Sequence, residues 1–88
     1  ICKAGSKARQ DAKALKKAAA EAEAASARLA SHCEALDQAM ADPASAEPTL
    51  ASLSMSELSR RRAQAAQDLE AAEARWLELS EQLEQIAA

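Results

Sequence analysis

A seven-residue apolar repeat runs along this chain on both sides of one interruption, and few folds accept that pattern. In the first half Leu15, Ala22, Leu29 and Leu36 recur at that interval, and Ala12, Ala19, Ser26, Cys33 and Met40 form the companion series. In the second half Met55, Arg62, Leu69, Trp76 and Leu83 alternate with Leu58, Ala65, Ala72, Leu79 and Ile86. These are the a and d positions of two heptad stripes, over about 8–41 and about 54–87. Only Arg62 breaks the second stripe, and its aliphatic stem can lie along a seam while the guanidinium reaches water. Between the stripes stand Asp42-Pro43 and Glu47-Pro48. Proline lacks a backbone donor and clashes with the preceding turn, so no helix passes through this stretch intact.

Composition removes the alternatives. Of 88 residues 26 are Ala, and there is no Val, Phe or Tyr. Leu, Ile, Val and Phe together number 12, low enough that disorder competes with folding. The abundant residues, however, are the strong helix formers, and the β-branched and aromatic residues that strands favour are nearly missing. The chain is expected to be all-α, with sheets, barrels and dinucleotide-binding folds excluded. No apolar run reaches the ~20 residues a membrane span needs, and positions 1–10 lack the apolar segment of a signal peptide. Cys2 and Cys33 have no metal-binding spacing with the single His32. Cys33 reads as a small core residue, Cys2 is given no role, and reduced cysteines fit a cytoplasmic setting. At 9.3 kDa the chain is one small domain or a piece of a larger protein.

The two stripes share a period, and the linker is short, so they are expected to pack as a two-helix antiparallel coiled-coil hairpin. The basic lead-in 1–11 is expected to fray, the hairpin to cover 12–87, and the Pro-containing tip to lie at about 42–53. If facing residues have numbers summing to 98, the layers are Leu15–Leu83, Ala19–Leu79, Ala22–Trp76, Ser26–Ala72, Leu29–Leu69, Cys33–Ala65, Leu36–Arg62 and Met40–Leu58. Setting the large Trp76 against Ala22 evens the spacing between helices, and burial there makes Trp76→Ala cost ~3–5 kcal/mol. At the tip, Ser54-Met55-Ser56-Glu57 has the form of a capping box, while Pro48 can open a short helix that folds Leu50 and Leu53 over the end; one of the two is expected. Glu57–Arg61 and Arg75–Glu78 have ion-pair spacing along a helix.

Nothing in the chain is arranged for catalysis. One Gly cannot make a phosphate loop, His32 is alone and reads as a partly exposed helix residue, and a two-helix rod offers no deep ligand pocket. The expected function is a surface presented at a distance. Charge is unevenly placed: residues 1–17 carry net +5 and residues 18–88 net −8. Lys3, Lys7, Arg9, Lys13, Lys16 and Lys17 gather at the open end, and Arg60, Arg61 and Arg62 near the tip. Such groups meet phosphate backbones through salt-sensitive contacts without sequence preference, and no aromatic sits among them for base stacking. A solvated charged face is the plain alternative.

Ala41-Asp42-Pro43 at the turn, and Leu69-Glu70-Ala71-Ala72-Glu73-Ala74-Arg75-Trp76-Leu77-Glu78-Leu79 in the second helix, resemble the C-terminal coiled-coil domain of ABC-F ATPases, the Uup-like proteins in particular. The likeness spans roughly 12–86, and only the Leu69–Leu79 block is moderately specific. Where that family often has an aromatic after Asp-Pro and a Leu-Pro in the first helix, this chain has Pro43-Ala44-Ser45-Ala46 and Lys16-Lys17-Ala18. The resemblance implies a cytoplasmic parent with two ATP-binding cassettes, no membrane span, and ATP and Mg bound elsewhere than in this stretch, which needs no cofactor. It implies contact with DNA or with ribosomal RNA, as in translation factors of that family. Two other readings stand beside it: a structural or self-associating coiled coil, and a nucleic-acid-binding helical arm of an unrelated enzyme.

Overall fold

The computed structural model describes the backbone of residues 2–87 and the side chains of residues 9–86. The chain is all-α, with no strand among the described residues. Helix α1 spans Cys2–Ala41, a 3₁₀ turn spans Pro43–Ser45, α2 spans Pro48–Ala51 and α3 spans Met55–Ala87. The lead-in is continuous with α1 from Cys2 onward. Helices α1 and α3 lie side by side in opposite directions, giving a rod of 63 × 18 × 16 Å.

The tip contains both of the devices of which one was expected. Asp42 N donates to Gln38 O at 2.8 Å and closes α1, and Pro43 opens the 3₁₀ turn with its fixed φ. The Ser45 hydroxyl donates to the Asp42 carboxylate at 2.6 Å. Pro48 then starts α2, a single turn that swings Leu50 back into the core. Three residues on, Glu57 N donates to Ser54 Oγ at 3.1 Å, and Leu58 N to Ser54 O at 3.0 Å, so Ser54 caps α3. Only half of the capping box forms. The Glu57 carboxylate turns to two guanidinium groups instead of to the backbone of Ser54. A charged fork outcompetes a single amide donor.

The packing divides along the rod. Near the tip, Cys33, Leu36, Ala39, Leu50, Leu58 and Ala65 form one buried cluster, with Met40, Leu53 and Leu69 against it. Near the open end, Ala19, Ala22 and Leu79 form a second, flanked by Leu15, Ala18 and Leu83. The layers Leu15–Leu83, Ala19–Leu79, Cys33–Ala65 and Met40–Leu58 each fall within one cluster, as the heptad arithmetic requires. Between the clusters no residue is buried on α1 from 23 to 32 or on α3 from 66 to 78. Ser26, at a seam position, donates its hydroxyl to Ala22 O at 2.9 Å within its own helix and makes no bond to α3.

Trp76 departs from its expected place. It is 39% exposed and belongs to neither cluster, so the Ala22–Trp76 layer does not form as a knob in a hole. The physical reason is the stretch of α1 it meets. Ala22, its layer partner, and Ser26, the next seam residue of α1, supply too little side-chain volume to enclose an indole. The ring lies on the surface of the seam instead. Met55 and Ile86, the ends of the second stripe, are also exposed.

Candidate nucleic-acid interface

The cations at the open end share one face. Arg9, Lys13, Lys16 and Lys17 are all exposed, whereas Ala12, Leu15, Ala18 and Ala19 between them are half-buried or buried against α3. Helical spacing therefore gathers these four charges on the side of α1 turned away from its partner. Among the described residues none of the four makes an ion pair. Lys3 and Lys7 lie on the same helix, but their side chains are outside the described residues. Opposite, the last turns of α3 expose Glu78, Glu81 and Glu84, so the open end is cationic on one helix and anionic on the other.

The arginines near the tip are arranged differently. Glu57 accepts from Arg60 Nη2 at 2.6 Å and Nε at 3.1 Å, and from Arg61 Nε at 2.9 Å. The Arg60 hydrogen bonds, then that from Arg61, hold the Glu57 carboxyl at about 2 against an ordinary 4.5. Arg60 is correspondingly raised by its bond to Glu57. Arg62 donates through Nε to Asp37 Oδ1 at 2.8 Å and is raised by that bond. All three guanidinium groups thus already carry a carboxylate partner, and about 30 Å of helix separates them from Lys17. The sequence set the two groups at opposite ends of the rod as candidate nucleic-acid contacts; among the described residues, the three arginines are each paired with a carboxylate and Arg9, Lys13, Lys16 and Lys17 are not.

Of the remaining candidates, Cys33 is free and buried, as a small core residue should be, and His32 is exposed. Among the described residues no three His, Cys, Asp or Glu side chains stand close enough to hold a metal ion. No helix of the described residues is long and apolar enough to cross a membrane.

One surface was not expected from the heptads. A groove of about 610 Å³ opens over the gap between the two core clusters, lined on its apolar part by Ala27, Ala30, Leu69, Trp76 and Leu77. The signal for it was present. Leu77 follows Trp76 outside the a and d stripe, and the facing stretch of α1 is Ala and Ser.

Compared with family models, curated proteins and solved structures, the chain has no match.

Proposed function

We propose that this chain is a non-catalytic arm, a two-helix antiparallel coiled-coil hairpin whose lysine-rich end binds nucleic acid without reading its sequence. The observation that carries the reading is the exposed face of Arg9, Lys13, Lys16 and Lys17, four cations free of in-chain carboxylates among the described residues. Phosphate contact needs cations that are not already neutralised. Arg60, Arg61 and Arg62 are assigned to holding the tip together, and the exposed Glu78, Glu81 and Glu84 of α3 leave the α1 face as the side of the open end that an anion can approach. The segments Ala41-Asp42-Pro43 and Leu69–Leu79 favour an ABC-F type parent in the cytoplasm, with the arm carried by its cassettes and directed to DNA or ribosomal RNA.

The test is the triple reversal Lys13→Glu, Lys16→Glu, Lys17→Glu, with affinity for duplex DNA and for ribosomes measured across a salt series. Binding should weaken, and the slope of log K against log salt should flatten by up to ~2.7 for duplex DNA. Unchanged affinity and slope for both ligands would defeat the proposal. A structural, self-associating coiled coil is the competing reading. A dimeric mass together with no affinity for either nucleic acid would establish that instead.

A further inference from the structure

Trp76 is the one aromatic residue of the chain, and it stands at a seam position without entering the core. Leu77 beside it is more exposed still, at 54%. With Leu69, Ala27 and Ala30 they make an apolar trough that groups two of the four exposed large apolar side chains among the described residues. Large apolar side chains grouped in this way mark an interaction surface, and tryptophan is the residue most often found at its energetic centre. The rim gives the sign of the partner. Glu23 stands on the α1 bank and Glu73 on the α3 bank, and no cation lines the groove. A second copy fits poorly, since a two-fold contact through the groove brings the acidic rim of one copy against the acidic rim of the other. A phosphate backbone is repelled by the same rim. We infer that the groove docks a cationic amphipathic helix of a partner protein, its apolar anchors spaced i, i+3, i+4 over Trp76 and Leu77 and its Lys or Arg residues meeting Glu23 and Glu73. This surface is distinct from the lysine face at the open end, so the arm has one site for an anion and one for a cationic helix.

The experiment uses the whole chain and two designed peptides of about 18 residues, long enough to form an isolated helix when Ala-rich. Both carry leucines at i, i+3, i+4 and i+7; one has lysines and the other glutamates between them. Trp76 is the only tryptophan, so its emission reports on the groove directly. The lysine peptide should give a saturable blue shift at one peptide per chain, and the glutamate peptide none. Glu23→Lys with Glu73→Lys should reverse the preference. Glu47→Lys with Glu81→Lys makes the same change in charge away from the groove and should leave it intact. Circular dichroism checks that each variant stays helical, and Glu23→Gln with Glu73→Gln serves if the lysine pair unfolds, with the preference then abolished. Equal response to both peptides, an unmoved emission at saturating peptide, or equal loss in the control pair overturns the inference. So does a blue shift that follows chain concentration without peptide, which would make a second copy the occupant.

Discussion

Arg62 Nε donates to Asp37 Oδ1 at 2.8 Å across 25 residues of sequence, so the one cation in the α3 stripe ties that helix to α1. The pair sits where the heptads set Arg62 opposite Leu36, one residue from Asp37, and it tolerates no shift of register by a turn. Asp37→Arg should lower the Tm, and Asp37→Arg with Arg62→Asp should restore most of it. The restoration should shrink as salt is raised, because both side chains reach solvent. Thermal scans of the four variants in low and high salt give the comparison.

Leu36 has no exposed surface, whereas Trp76 keeps 39% of its own. Leu36→Ala is expected to cost ~2–5 kcal/mol, enough to unfold a marginal rod. Trp76→Ala is expected to cost on the order of 1 kcal/mol. Urea titrations followed by circular dichroism should rank them in that order; a larger loss at Trp76 would mean that the indole is packed inside the seam.

Glu57 makes the stability of the tip depend on pH. Its carboxyl titrates at about 2 in the folded chain and near 4.5 when unfolded, held down first by Arg60 and then by Arg61. A depressed carboxylate contributes stability that is fully present above the unfolded value and is lost as pH falls through the folded one. The contribution should therefore be constant at neutral pH and disappear between about 4.5 and 2. Urea midpoints measured across that interval should fall less steeply in Glu57→Gln than in the parent chain.

The division of the core predicts two opening units. The tip cluster contains Leu36, Leu50 and Leu58, while the cluster at the open end rests on Ala19, Ala22 and Leu79. Amide hydrogens of 33–39 and 58–65 should exchange more slowly than those of 15–22 and 79–83 in hydrogen-exchange mass spectrometry. Leu50→Ala should speed exchange at the tip and leave the open end as it was.

Much of this architecture was legible in the residues. The a and d positions from Ala12 to Met40 are all buried or half-buried, and the Glu57–Arg61 pair forms at its expected spacing. The tip was half legible: Pro48 and Ser54 each carried a start signal, and nothing in the local chemistry said that both would be used. The candidate interface was legible as a set of cations and not as a surface. Spacing put Arg60, Arg61 and Arg62 beside carboxylates on the same and the facing helix, but the choice of Glu57 over Ser54, and of Asp37 over water, depends on side-chain distances.

Helix, heptad period and the position of the break follow from the sequence alone, because propensity, the seven-residue repeat and proline act over a few neighbouring residues. Which cations stay unpaired, and whether Trp76 lies in the seam or upon it, were decided only when α3 came to lie against α1. Those outcomes depend on how much volume the opposite helix supplies at each layer, a quantity that no local pattern contains.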